Sequence, residues 1–226
     1  MDLFLFALQA RTTGPARVFY PMRKALITAQ TALVIFGLTA FWVPAAQAST
    51  PISIEQTAQL VCANCHGSEG ESAGPNYAHL AGQNAAYITT QLRDFMSGRR
   101  NNRAMREMAA ELSEAELVAL GRYYASMKPV PHQVADPALV RTGRALFEAG
   151  KAQSGVPACA ACHGAQGQGS SNLPRLAGQH PQYLKRQLEN FGQRERTQEN
   201  AAMHDIASRL SEPDKRAITS YLSGLK

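Results

Sequence analysis

The pattern Cys-x-x-Cys-His occurs twice in the chain, as Cys62-Ala-Asn-Cys65-His66-Gly67 and again 97 residues later as Cys159-Ala-Ala-Cys162-His163-Gly164. It is one block of a longer repeat. Leu80-Ala-Gly-Gln83 returns as Leu176-Ala-Gly-Gln179, and Tyr87, Gln91-Leu92 and Phe95 match Tyr183, Gln187-Leu188 and Phe191, all at an offset of 96. Ala104-Met105, Ala109 and Leu112-Ser113-Glu114 match Ala202-Met203, Ala207 and Leu210-Ser211-Glu212 at an offset of 98, as Tyr123 and Lys128 match Tyr221 and Lys226. Five blocks in one order with so little drift mark a duplicated domain. Each copy has only about 80–95 residues, a size that struggles to bury a sufficient core unaided.

The duplication divides the chain into a leader at 1–48, a first domain at 49–130 and a second at 131–226, whose residues 131–137 form a short linker. In the leader, Arg23 and Lys24 precede an uncharged stretch from Ala25 to Val43, and Ala46-Gln47-Ala48 is a small-x-small cleavage site. This reads as a secretory signal cut after Ala48, with Met22 as a plausible start; an uncleaved membrane anchor is the alternative. The leader also accounts for half of the chain's formal charge of +6, which weakens a nucleic-acid reading for which no motif speaks. Outside the cytoplasm, four unoccupied thiols would ordinarily pair as disulfides.

The patterning is helical throughout, and all-α is the expected class. Ser53-x-x-Gln56 is a capping box leading into the first Cys motif. Residues 84–97 carry Tyr87, Ile88, Gln91-Leu92 and Phe95 at helical spacing and stop at Gly98. Ser113-x-x-Glu116 caps a last helix with Leu117, Leu120, Tyr123 and Tyr124 on one side. The second copy repeats this, with Pro181 near a helix start, Gly192 after its end and Ser211 as N-cap; in the linker, Pro129 stops one helix and Asp136-Pro137 opens the next.

Cys-x-x-Cys-His puts two thiols on one helical turn, where they add to the two vinyl groups of a haem, and the adjacent His reaches the iron as proximal ligand. Four cysteines at Cys62, Cys65, Cys159 and Cys162 are thereby occupied without disulfides, and two covalently attached haem c groups supply the missing core of two small domains. A zinc site would bring four ligands together, whereas these pairs lie in separate copies. A thioredoxin-like pair would need a βαβ context.

The iron's sixth position separates electron transfer from chemistry on a substrate. After His163 the second copy contains one methionine, Met203, and its repeat partner is Met105 rather than Met96, Met108 or Met127. His66 to Met105 spans 39 residues and His163 to Met203 spans 40. Both lie in a polar stretch, read as loop ahead of an apolar helix, where a thioether is poor core material. His79, His180 and His204 align with Arg175, Asn84 and Arg106, and are read as surface residues. The expected axial pairs are His66/Met105 and His163/Met203, which close the iron to exchangeable ligands and suit one-electron relay.

With these motifs in hand, residues 53–226 resemble the dihaem cytochrome c4 family, a class I c-type cytochrome with a duplicated domain. The resemblance implies two tandem cytochrome c-like helical domains, each wrapped around one haem. It also implies a periplasmic electron carrier, in some members peripherally membrane-associated, between a quinol-oxidising complex of the quinol–cytochrome c reductase type and a terminal oxidase or other periplasmic redox protein. The family pattern places a proline in the stretch beside the proximal His. Pro174 fits, but the first copy has Ala78 there, with Pro75 earlier. The hydrogen bond orienting His66, and with it the potential of that haem, is therefore expected to differ.

Residues 49–130 hold 7 basic and 8 acidic groups and residues 131–226 hold 12 and 8, a polarity able to orient a carrier on its partner. Arg99, Arg100, Arg103 and Arg106 form the densest basic cluster, read as facing haem propionates or a partner. The competing reading is the electron-transfer subunit of a periplasmic dehydrogenase, or a dihaem enzyme such as a peroxidase; no acid–base constellation accompanies it.

Overall fold

The computed structural model describes residues 52–129, 134–197 and 201–226, all within a compact unit spanning Ser49–Lys226. The signal-sequence reading and residues 131–133 of the linker lie outside the described residues. The first half opens with α1 (Ile54–Thr57), which passes through a π-helical turn (Ala58–Cys62) into α2 (Ala63–His66), and continues with α3 (Ala85–Met96), α4 (Arg103–Ala110) and α5 (Glu114–Ser126). The second half has a 3₁₀ turn (Pro137–Leu139), α6 (Val140–Ala149), a second 3₁₀ turn (Ala152–Ser154), α7 (Ala160–His163), α8 (Pro181–Gly192), α9 (Ala201–Arg209) and α10 (Glu212–Ser223). Among the described residues the β pairing amounts to two isolated bridges, Arg100 with Arg196 and Lys151 with Val156, so the chain is all-α.

Helix starts follow the expected caps. Ser53, Ser113 and Ser211 each close a capping box, with Gln56, Glu116 and Asp214 respectively, satisfying amide donors that the first turn leaves without partners. Asp136 accepts from Ala138 N at 3.0 Å and Pro137 opens the turn behind it. Gly192 is the last residue of α8 rather than the residue after its end. It stands where the first half has Met96, and the left-handed residue that ends the turn is Gly98 in the first half (φ 76°) and Arg194 in the second (φ 60°). Met105 and Met203 also differ from expectation: both sit in helices, α4 and α9, not in loops.

Each half packs in the same way. The N-terminal helix and the third-motif helix lie on the last one, α1 and α3 on α5, and α6 and α8 on α10, with α4 on α3 and α9 on α8. Two separate cores result. Ala58, Ile88, Leu120 and Tyr124 are buried in the first; Leu146, Phe147, Leu184, Ala217, Ile218 and Leu222 in the second. Each core touches one cysteine of its own motif, Cys62 and Cys159, so the attachment motifs border the apolar centres.

Candidate functional site

All four cysteines are unpaired, three of them partly buried and Cys162 exposed. Burial pushes the Cys62 thiol up, and that of Cys159 up to about 11. Thiols held protonated in this way are poor redox nucleophiles, which argues against a thioredoxin-like pair. Among the described residues no three His, Cys, Asp or Glu side chains gather to hold a metal ion directly.

Each Cys-x-x-Cys-His run lies on one helical turn that ends at a glycine. Gly67 (φ 78°) and Gly164 (φ 81°) take a backbone conformation that L side chains rarely adopt, and a Cβ there would strike the side chains of Glu71 and Gln168. The chain can therefore turn immediately after the histidine and run back along it. Ser72 N bonds to His66 O at 2.6 Å and Gly169 N to His163 O at 2.7 Å, while Leu80 and Ala81 bond to Gly70 O as Leu176 and Ala177 do to Gly167 O.

This return stretch orients both histidines. His66 Nδ1 lies 2.8 Å from Ala78 O, and His163 Nδ1 lies 3.2 Å from Pro174 O. A carbonyl only accepts, so Nδ1 carries the proton in both rings and Nε2 is the nitrogen with the lone pair, the tautomer an iron ligand needs. Burial lowers the pKa of His66, outweighing the Ala78 carbonyl, and keeps the ring neutral. The replacement of proline by Ala78 thus leaves the kind of bond unchanged, because the acceptor is main chain; the two bonds differ in length.

Met105 and Met203 occupy the same register in α4 and α9 and are both half-buried, whereas Met96 and Met108 are exposed. Asn102 Oδ1 accepts from Met105 N at 3.0 Å and starts α4 there. His204 Nδ1 is held on Phe191 O at 2.9 Å.

Between the halves lies a contact that the sequence reading did not find. Gln83 donates to Arg175 O (2.9 Å) and accepts from Arg175 N (2.7 Å); Gln179 donates to His79 O (3.1 Å) and accepts from His79 N (2.9 Å). The glutamine of each Leu-Ala-Gly-Gln motif thus pairs with the main chain of the other half. Arg100 donates to Gln91, Tyr183 and Gln187, and Arg196 donates to Gln187, Tyr87 and Gln91, at 2.7–2.9 Å. Each guanidinium lies 4.5 Å over its own half's Phe95 or Phe191. The arrangement has an approximate two-fold relation between residues 96 apart.

Two expectations change accordingly. The arginine cluster is not one patch: Arg100 is buried between the halves, Arg99 pairs with Asp94 at 2.6 Å, and Arg103 pairs with Glu107 at 2.8 Å. His79 is buried rather than on the surface, its ring 4.4 Å from that of His180. The missed signal was present in the repeat, since Gln83, Tyr87, Gln91 and Arg100 all recur at an offset of 96.

The cytochrome c family model matches residues 140–226, and the model described as cytochrome c oxidase, cbb3-type, subunit III matches residues 51–123. A cytochrome c4 of Azotobacter vinelandii is 39% identical over 217 residues, covering 90% of this chain and all of the relative. A thiosulfate dehydrogenase electron acceptor of Thiomonas intermedia is 32% identical, covering 92% of this chain and 93% of that one. The solved structure of reduced cytochrome c4 from Pseudomonas stutzeri superposes with a TM-score of 0.73 at 34% identity, covering 76% of this chain and 97% of the other.

Proposed function

Because the chain belongs to the cytochrome c4 family, we propose that its two covalently bound haem c groups are held by Cys62, Cys65, His66 and Met105 in a domain at 49–130, and by Cys159, Cys162, His163 and Met203 in a domain at 131–226. The chain is an electron-transfer protein and not an enzyme. We place it in the periplasm, exported by a signal cut after Ala48 and accepting electrons from a quinol-oxidising complex for delivery to a terminal oxidase.

The observation that carries the site assignment is the pair of histidines, each following two cysteines on one turn and each fixed by a main-chain acceptor with Nε2 as its lone-pair nitrogen. The orphaned buried Arg175 Nε suits the acidic side arms of a haem. Haem iron supplies one-electron exchange between Fe(III) and Fe(II). The residues do the rest. Ala78 O and Pro174 O hold the rings against rotation, Gly67 and Gly164 let the chain close over them, and Met105 and Met203 are offered from helices supported by α3 and α8. Thioether ligands favour the reduced state and exclude exogenous ligands.

Spectro-electrochemical titration of the holoprotein under carbon monoxide tests this reading. Wild type should show two high-potential transitions and bind little gas. Met105→Ala and Met203→Ala should each open one haem and lower its potential by a substantial part of the roughly 0.8 V that axial ligands span. Ready gas binding by both wild-type haems would defeat the ligand assignment. A second reading, electron acceptor of a periplasmic dehydrogenase, is favoured by the Thiomonas relative, and reduction by purified thiosulfate dehydrogenase against reduction by a quinol-oxidising complex separates the two.

A further inference from the structure

Tyr124 and Leu222 occupy the same place in the two halves. Gly82 N bonds to Tyr124 O and Gly178 N to Leu222 O, both at 2.9 Å, and the two side chains are 2% and 3% exposed. They part in their polar chemistry, which only the tyrosine has. The Tyr124 hydroxyl is buried, and the Cys62 thiol packed beside it, weak both as donor and as acceptor, leaves it poorly satisfied. It faces the sulfur of Cys62. The phenol is also locked. The Tyr123 ring packs edge-on at 5.2 Å, and Gly70 leaves just enough room, since a Cβ there would lie 3.1 Å from Tyr124 Cδ1.

We propose that Tyr124 is a positioning residue of the first haem: its hydroxyl donates a hydrogen bond to the Cys62 sulfur in the thioether state, raising the potential of that haem relative to the second. The inference rests on Cys62 as an attachment site. A thiol and a phenol compete as donors, whereas a thioether sulfur has lone pairs and no proton, so forming the linkage turns a poorly satisfied pair of groups into a matched one. Density drawn from the sulfur is drawn from the macrocycle, which favours the reduced iron. Leu222 offers nothing comparable to Cys159, so the effect belongs to one half.

The test uses the holoprotein and its Tyr124→Phe and Leu222→Tyr variants. Protein mass first confirms two attached haems. Potentials are then assigned to each haem by the redox dependence of its methyl NMR signals, and the thioether C–S stretch is followed by resonance Raman. Tyr124→Phe, which keeps the ring and its packing, should lower the first haem's potential and shift its C–S mode while leaving the second haem unchanged. Leu222→Tyr should raise the second haem's potential. Potentials that stay fixed in both variants, or that move equally at both haems, would overturn the inference with the attachment reading intact. A wild-type mass lacking the first haem would overturn both.

Discussion

The two halves share the central polar residues through which they face each other and differ more in the segments that lead into their motifs. Gln83 and Gln179, Tyr87 and Tyr183, Gln91 and Gln187, and Arg100 and Arg196 are identical pairs that meet across the approximate two-fold. Around each motif the halves diverge. The first enters its cysteines directly from α1 through a π turn, while the second inserts the Lys151–Val156 bridge and a 3₁₀ turn between α6 and Cys159. The same capping position is the half-buried Glu116 in one half and the buried Asp214 in the other. The physical reason is one of multiplicity. A residue on the two-fold contact meets its own counterpart's surroundings, so a change on one side breaks a pair. Away from the contact each half can drift alone, and two initially equal sites can acquire different properties.

Arg100→Ala and Arg196→Ala test the symmetric part and should have the largest effect. Each truncation removes a buried charged donor from acceptors in both halves: the tyrosine hydroxyl of the opposite half loses its arginine, and Gln91 and Gln187 each keep one donor of two. A loss of about 3 kcal/mol or more is expected for either variant, measured by guanidinium unfolding of the holoprotein. The sharper expectation is that the two losses agree. A large loss for one and a negligible loss for the other would show that the contact is symmetric in geometry but not in energy.

The amount of this that was legible in the sequence depended on where the information lay. Caps are local, so Ser53, Ser113, Ser211 and Pro181 placed their helices correctly. The α4 helix was missed because it buries Ala109 alone, which leaves Arg103-Ala-Met-Arg-Glu without an apolar stripe to reveal it. Arg100 was read with its charged sequence neighbours, although its partners are 83 and 87 residues away. His79 was assigned to the surface for the same reason: what buries it is the other half of the chain. Repeated polar residues on an otherwise apolar helix face were the one available sign of the contact, and they were counted as helix pattern.

Gln83→Ala and Gln179→Ala come next. Each glutamine satisfies one main-chain donor and one main-chain acceptor of the opposite half, so each truncation orphans both; about 2 kcal/mol is expected per variant. The double variant shows whether the pairs act independently. If the contact is one cooperative unit, the second loss will be smaller than the first, whereas simple addition would mean two separate latches.

The smallest effect belongs to the divergent capping position and runs the other way, toward inequality. Burial alone would raise the Asp214 carboxyl, but Lys151 at 2.7 Å and the Ser211 hydroxyl and amide hold it below the usual carboxylate range. A depressed folded value means that the unfolded chain binds the proton first on acidification. The stabilisation is therefore complete above the unfolded pKa of about 4 and is lost as pH falls below it through the folded value. Asp214→Asn should cost about 1.5 kcal/mol at pH 7 and flatten the acid limb of the stability profile. Glu116→Gln, at the half-buried counterpart, should cost less and alter the profile less, because more solvent reaches it than reaches Asp214. Equal acid limbs in the two variants would mean that Lys151 does not distinguish the halves, and that the cap alone sets the carboxylate's contribution.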